Sequence, residues 1–377
     1  MMKKNDKLTA VVVGHDHQNT LGVIRSLGEG GFRVWAVLIT DGNTCATAHS
    51  RYLEKVVEVP FSDLLDALLQ LGDSLEKTVP LIPCGDEAAA IIDKNAELLQ
   101  KSYLLPYTGN GSMFQLMNKM NMLEAAKAAG LNVPRWVSVQ RADFERLEGV
   151  CESLRFPVIV KPIKLLPGGT FSFHIVEDHC ALCACLDYVR ENCGSVIFQE
   201  YIRKTAEYGV NGCRLRNSGQ TIFGGMIEKK RFSQISLGST TAGTILPDTH
   251  GLSKAAKRFV EYIDYRGVFD MEFITDGADF YFVEMNFRNG GYGYAYTKAG
   301  RNFPAIWAGE ASGEDVSNFL NKPLQSIFFI NESADLQNVR AGKLSVITWI
   351  TDVVRARARL YINCKDLRPL LKKVMRK

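Results

Sequence analysis

No uncharged apolar run in this 377-residue chain approaches the roughly 18 residues that a membrane-spanning helix needs, so no spanning helix is expected. The first apolar run, Leu8 to Val13, is short and ends at Gly14-His15-Asp16, which suits a β-strand better than a secretory leader. Gly14 and Gly22 do not form Gly-x-Gly-x-x-Gly, so a nicotinamide cofactor is poorly supported. No Ser-His-Asp or Cys-His grouping is evident, and neither is an internal repeat or a long low-complexity stretch. The nine cysteines are odd in number with no leader before them, which predicts reduced thiols in a cytoplasmic protein. Cys180-x-x-Cys183-x-Cys185, near His174 and His179, has no second cysteine pair at structural-zinc spacing and reads as a thiol-rich helix.

Net charge is small, +4, but unevenly placed: residues 355–377 hold nine Lys or Arg against Asp366 alone, so that stretch carries +8 and the remainder −4. The basic residues are not interleaved with stacking aromatics, and nucleic-acid binding is not expected.

The chain is long enough for two or three domains. Residues 8 to about 107 alternate strand and helix (Leu8 to Val13, Thr20 to Leu27, Val34 to Ile39, a helix from Asp63, Val79 to Cys84), which predicts right-handed βαβ units and a small parallel sheet. Ligands bind beyond the carboxyl ends of such strands, where Gly14-His15-Asp16-His17-Gln18-Asn19 and Gly85-Asp86-Glu87 fall. By themselves His15 and His17 are loop or helix-cap residues. A helix beginning at Asn118-Lys119 and ended by Gly130 leads onward. Residues 142–206 read as α+β: helix 142–154, strand Pro157 to Pro162, strand Ser172 to Val176, helix 178–192 and strand Ser195 to Glu200. Further strands and a helix from Leu252 to Ile263 follow. The expected division is 1–111, 112–206, 207–335 and a basic tail 336–377.

Chemistry concentrates in Phe269-Asp270-Met271-Glu272 and Glu284-Met285-Asn286-Phe287-Arg288-Asn289-Gly290-Gly291, two β-prone segments joined by Thr275-Asp276-Gly277-Ala278-Asp279, a hairpin signature. Residues two apart on a strand share a face, so Glu284, Asn286 and Arg288 form a row that Glu272 can join, while Val283, Met285 and Phe287 bury the other side. Two carboxylates and a carboxamide are hard oxygen donors, suited to Mg²⁺ with water and nucleotide phosphates completing its octahedron. Separately, Phe156-Pro157-Val158-Ile159-Val160-Lys161-Pro162 is an apolar strand with one lysine near its end, and a buried lysine is costly unless it meets an anion such as phosphate.

The Glu-x-Asn-x-Arg row followed by two glycines resembles the metal-binding strand of the ATP-grasp superfamily, and the resemblance covers about residues 8–310. It is nearest the D-aspartate ligase and carbamoyl-phosphate-synthase-like branch. It implies a two-lobed ATP-grasp domain, of α/β and α+β class, after the parallel-sheet domain. The resemblance implies ATP and two Mg²⁺ ions, with Mn²⁺ as a substitute, and Glu272, Glu284 and Asn286 as metal ligands. Lys119 and Lys161, the latter in Val160-Lys161-Pro162, correspond to phosphate-contacting lysines. Gln199-Glu200-Tyr201-Ile202 corresponds to the passage that binds the adenine edge, and Glu207 to the ribose-binding acid. Gly168 and Gly169 lie in a loop that would approach phosphate, though this loop, Leu165 to Thr170, is shorter and more apolar than its counterparts. Arg214, Lys229, Lys230 and Arg231 are candidates to meet the transferred phosphoryl group, with Arg214 preferred; Lys161 and Arg288 complete the catalytic set.

The implied reaction is carboxylate–amine ligation: ATP converts a carboxylate, of an amino acid or peptide, to an acylphosphate that an amine displaces to form an amide. A kinase using the same site, and a non-catalytic nucleotide sensor, are the rival readings. Oligomeric state stays open, with a homodimer admissible. In the tail, Leu367, Leu370, Leu371, Val374 and Met375 recur at helical intervals opposite Arg368, Lys372, Lys373, Arg376 and Lys377, and Pro369 stands where it can limit the helix to one turn. Such an end either docks on the body or takes the protein to the inner face of an anionic membrane.

Overall fold

The computed structural model describes residues 7–109, 113–146, 149, 154–166, 173–233 and 238–375, and they form two compact units. The first unit comprises Met1–Leu131, Glu207–Phe273 and Val283–Lys377; the second comprises Asn132–Ala206 and Ile274–Phe282.

The first unit begins with the expected parallel sheet: β1 (Thr9–His15), β2 (Arg33–Ile39), β3 (Leu53–Val59), β4 (Val79–Pro83) and β5 (Tyr103–Leu104), ordered β3-β2-β1-β4-β5. Strand β4 and residues 10–14 of β1 are apolar and buried because helices cover both faces, as a parallel sheet requires. The order reverses between β1 and β4, so their carboxyl ends diverge and leave a crevice, with His15 on one side and Gly85-Asp86-Glu87 on the other. Short β6 (Tyr107–Thr108) follows, and then the helix Lys119–Ala128, whose Asn118 cap accepts from the Met120 N–H at 2.9 Å and whose exit Gly130 has φ +76°.

The second unit is an antiparallel sheet of β7 (Trp136–Gln140), β8 (Val158–Leu165), β9 (His174–Val176) and β10 (Cys193–Glu200), ordered β7-β10-β8-β9. The helix His179–Asn192 buries Leu182, Leu186 and Val189 against Val158, Val160 and Phe198. Of the helix expected over 142–154, the described residues begin as a 3₁₀ segment, Arg141–Arg146, and Gly149 is α-helical. The strand expected from Ser172 begins at His174.

The larger sheet contains β11 (Ala206–Arg214), β12 (Thr221–Phe223), β13 (Met226–Phe232), β14 (Thr240–Leu246), β16 (Val268–Thr275), β17 (Phe280–Asn286), β18 (Ile327–Ile330) and β19 (Ala358–Arg359), ordered β17-β16-β11-β13-β14-β18-β19 with β12 beside β11; β15 (Tyr265–Arg266) pairs with β6. Its apolar side, with Ile227, Ile245 and Phe329, meets helices Gly293–Ala299 and Phe303–Ala311, and these join the first helix and β1 in one core. That shared core fixes the hairpin of β16 and β17 relative to the crevice of the parallel sheet.

The tail is built into this unit. Asp366 and Arg25 are both fully buried and meet at 2.8 Å, and the remaining guanidinium donors reach the carbonyls of Leu360, Tyr361 and Asp366. Ser50 Oγ and the Arg51 N–H also donate to the Asp366 carboxylate. Pro369 does not confine the final helix to one turn: Arg368–Met375 is helical, and proline in the first turn removes no needed N–H.

Candidate active site

The acidic hairpin forms because apolar and polar residues alternate on β16. Phe269, Met271 and Phe273 are buried on one side, leaving Asp270 and Glu272 on the other. Its turn is closed by Asp276, whose Oδ1 accepts from the N–H groups of Ala278 and Asp279 at 2.9 Å each, and by Gly277 at φ +103°. Met285 on β17, and Phe287 just past its end, are buried as the alternation predicts. Val283 is only half-buried, and Phe282 is buried despite sharing parity with Glu284, so the polar row starts at Glu284. Arg288 lies just past the strand and turns back, donating from Nη2 to Asn286 Oδ1 at 3.0 Å.

Lys229, on β13, reaches the acidic face. Its Nζ lies 2.7 Å from Glu272 and 3.7 Å from Glu207, with the side chain 4% exposed. Burial opposes its charge, but Glu272, Asp270 and Glu207 outweigh burial and hold it above the usual lysine range. Glu284 is pushed up by burial and by Glu272, against the pull of Lys119, Lys229 and Arg288. Asp270 is buried and pushed up to about 7 by burial and then by Glu272, although Tyr292 Oη donates to its Oδ1 at 2.9 Å. Gly290 must lack a side chain here: a Cβ would stand 2.7 Å from Asn211 Nδ2 and 2.9 Å from the Asp270 carboxyl.

Arg288 also ties this cluster to the crevice of the parallel sheet. Its Nε donates to Asp86 Oδ1 at 3.1 Å, while His15 Nε2 and Glu87 Oε2 are 2.9 Å apart at the same strand ends. His17 caps the helix Gln18–Glu29, its Nδ1 accepting from the Asn19 N–H at 3.3 Å. Burial, then the charges of Lys373, Arg288 and His15, push its imidazole down to about 4. Asp16 is committed to the N–H groups of Ala46 and Thr47 at 2.8 and 2.9 Å.

The structure therefore gathers Lys119, Glu207, Glu272, Glu284, Asn286 and Arg288 from the sequence-predicted set. It does not bring Arg214 among them: on the opposite parity of β11, Arg214 pairs with Asp264 and donates to the Gly219 carbonyl at 3.0 Å. Arg231 is taken by Asp335 and Asp352 at 2.8 and 2.7 Å, and Lys230 pairs with Glu228. Of those four cations Lys229 occupies the site. Asp270 and Lys229 were the residues to find, and strand parity held the signal: Asp270 is two residues from Glu272, and Lys229 shares a face with the buried Ile227.

In the second unit, Lys161 on β8 is half-buried with Nζ 3.4 Å from Gln199 Oε1 on the paired strand β10. Glu200 Oε1 accepts from the Arg155 N–H at 3.1 Å, and the Tyr201 N–H donates to the Pro157 carbonyl at 2.9 Å, so the segment Gln199–Ile202 is pinned at its middle. Gly168 and Gly169 lie outside the described residues.

Residues 124–300 match the family model of the ATP-grasp domain. The chain carries an ATP-grasp domain. Over 300 residues it is 22% identical to the carbamoyl phosphate synthase large chain of Sulfolobus acidocaldarius, a match that takes in 72% of this chain and only 28% of that relative's length. In structure it is similar to N5-carboxyaminoimidazole synthetase from Staphylococcus aureus complexed with ADP, with a TM-score of 0.67 and 18% identity, covering 90% of this chain and 87% of the other. It is also similar to L-amino acid ligase from Bacillus licheniformis, with a TM-score of 0.60 and 16% identity over 86% of this chain and 80% of the other. At such identities these structures establish the fold.

The ATP-grasp domain's donor set fits a Mg²⁺ ion. Among the described residues no three His, Cys, Asp or Glu side chains form a metal-holding group by themselves, but Mg²⁺ is ordinarily held by one or two carboxylates plus phosphate and water. Glu272 and Glu284 supply two carboxylates, and Asn286 a carboxamide oxygen. The upward shifts of Glu284 and Asp270 are the mark of negative charge crowded in a buried place, which a divalent cation relieves.

Proposed function

We propose that this chain is an ATP-dependent carboxylate–amine ligase acting on small molecules. What carries the reading is the half-buried cluster in which Glu272, Glu284 and Asn286 offer oxygen donors, Lys229 and Arg288 are fixed cations, and Arg288 is bonded to Asp86 at the crevice of the parallel sheet. Metal-binding and phosphate-binding groups are thus adjacent to the place where the fold accepts a small ligand.

In this reading Glu272, Glu284 and Asn286 hold Mg²⁺, which when bound draws the ATP phosphates together and offsets their charge. Lys119 and Lys161 hold phosphate oxygens, and Gln199, Glu200, Tyr201 and Ile202 provide the adenine edge. Because the Tyr201 N–H is already engaged, other groups of that segment read the base. Glu207 is assigned to the ribose, although its proximity to Lys229 also lets it orient that lysine. Lys229 replaces Arg214 as the cation facing the transferred phosphoryl group.

A substrate carboxylate oxygen attacks the γ-phosphorus as the bond to the β–γ bridging oxygen breaks, giving an acylphosphate and ADP. Amine nitrogen then attacks the acyl carbon, phosphate leaves with the bonding pair, and a proton is lost from nitrogen. Arg288 steadies the carboxylate and then the tetrahedral oxyanion. No covalent enzyme intermediate is required, since phosphoryl transfer is driven by positioning and charge. The identification of an amino acid or peptide as the carboxylate, and the four-part functional division of the chain, belong to the same proposal.

The test is ADP release screened over amino acids and small carboxylates paired with amines, with hydroxylamine added as a trap. A ligase yields hydroxamate; a kinase acting on a hydroxyl does not. Glu284→Ala is expected to lower turnover by at least about a hundredfold, the scale of losing one charge-stabilising group. Retained turnover in that variant, or ADP without hydroxamate for every active carboxylate, rejects the ligase.

A further inference from the structure

The helix Val346–Arg355 is apolar on two sides. Its inner side is accounted for: Trp349 and Val353 pack around Ala242, Ile330 and Ala356, Trp349 Nε1 donates to the Glu332 carbonyl at 3.3 Å, and Asp352 meets Arg231 at 2.7 Å. The outer side carries Val346, Ile347, Ile350 and Val354, with Ile347 78% and Val354 73% exposed. Spacings of three and four residues place Ile347, Ile350 and Val354 on one stripe. Four large aliphatics presented on ten residues far exceed the scattered exposed leucine of an ordinary surface.

Charge around the stripe is of one sign. Between Arg340 and Met375 the only acids are Asp352 and Asp366, and both are buried in ion pairs. Arg340 and Lys343 precede the helix, Arg355 closes it and Arg357 follows, all exposed. The final helix Arg368–Met375 repeats the arrangement, with Leu371, Val374 and Met375 exposed beside Arg368 and Lys372. Among the described residues no helix is long and apolar enough to cross a membrane.

We propose that the helix Val346–Arg355 forms a peripheral docking face for an anionic lipid surface: the aliphatic stripe enters the headgroup and acyl boundary while the flanking cations meet lipid phosphates. Short amphipathic helices with basic borders bind in this way, and each needs the other's contribution because neither charge nor a few aliphatic side chains suffices alone. A second copy of the chain is the less suitable occupant, since bringing two such faces together would oppose cations that have no exposed acid among the same residues.

Flotation of the full chain with vesicles of phosphatidylcholine, with and without phosphatidylglycerol, tests this. Binding is expected only with the anionic lipid, falling as salt is raised. Ile347→Glu with Val354→Glu should weaken it at least about tenfold, as should Arg355→Glu with Arg357→Glu. Each variant's far-ultraviolet circular dichroism and urea-unfolding midpoint establish that it is folded. The proposal is overturned if anionic vesicles do not bind the folded chain, if folded Ile347→Glu, Val354→Glu protein floats as the parent does, or if sedimentation shows a self-association that the same pair abolishes while flotation is unchanged. Failure of the ligase assay leaves this result untouched, because flotation does not involve the nucleotide site.

Discussion

Replacing Lys229 by Met keeps length and apolar bulk but removes the cation facing Glu272 and Glu207. At an effective dielectric constant of about 20, a unit charge at the observed 2.7 Å interacts by ~6 kcal/mol with Glu272, and at 3.7 Å by ~4 kcal/mol with Glu207. Desolvation of a lysine that is only 4% exposed offsets most of that sum. Stranding buried partners after removing one member of such a pair costs about 3–5 kcal/mol net. The loss should depend on pH. Asp270 and Glu284 are already raised above their ordinary range, and Lys229 is among the charges holding each of them down. Without it their folded values rise further, so the folded chain binds more protons than the unfolded chain from about pH 4 upward, and stability falls as pH rises through that window. Lys229→Met should therefore be destabilised by the full amount near pH 8 and by distinctly less near pH 5. The assay is urea unfolding in the absence of metal, in a Trp136→Phe background so that the fluorescence of Trp35, Trp307 and Trp349 reports the first unit. Mg²⁺ should recover part of the loss at pH 8, while ATP turnover stays at least about a hundredfold down. Equal destabilisation at both pH values would refute the electrostatic reading of this cluster.

Two further outcomes follow from buried groups. Asp366→Ala strands the fully buried Arg25 and should cost about 3–5 kcal/mol by urea unfolding, while Arg25→Met with Asp366→Leu should recover most of it, since replacing both charges leaves neither unpaired. An equal loss in the single and double variants would mean that the pair contributes only packing. His17, pushed down to about 4, should stay neutral in NMR titration until well below pH 6. Because the unfolded imidazole takes up its proton near 6.5, stability should rise with pH between about 4 and 6.5, and His17→Gln should flatten that rise. An ordinary histidine titration would remove the argument.

The hairpin was legible because its evidence is local: alternation around Glu272 and Glu284, an Asp-Gly turn, and a polar row at even spacing all sit within one stretch. The parallel sheet was legible for the same reason, as its strands are continuous apolar runs between helices. Helix 142–154 was expected from its pattern, and where described it starts as a 3₁₀ segment, Arg141–Arg146, with Gly149 α-helical; 3₁₀ turns are frequent at helix starts. Arg214 was preferred over Lys229 because four cations on neighbouring strands look alike until pairing is known. Asp264, far along the chain, takes Arg214, and Asp335 and Asp352 take Arg231. The tail's helical pattern left docking on the body or on a membrane open, and only the structure shows Asp366 as the buried partner of Arg25.

What the residues determined alone was the chemistry available: two carboxylates and a carboxamide in register, a lysine on an apolar strand, and a parallel sheet with polar strand ends. Only tertiary structure decided which charges meet. Periodicity specifies the face on which a side chain stands, whereas an ion pair such as Lys229 with Glu272, or Arg288 with Asp86, depends on strand order and on the common core that brings distant segments together.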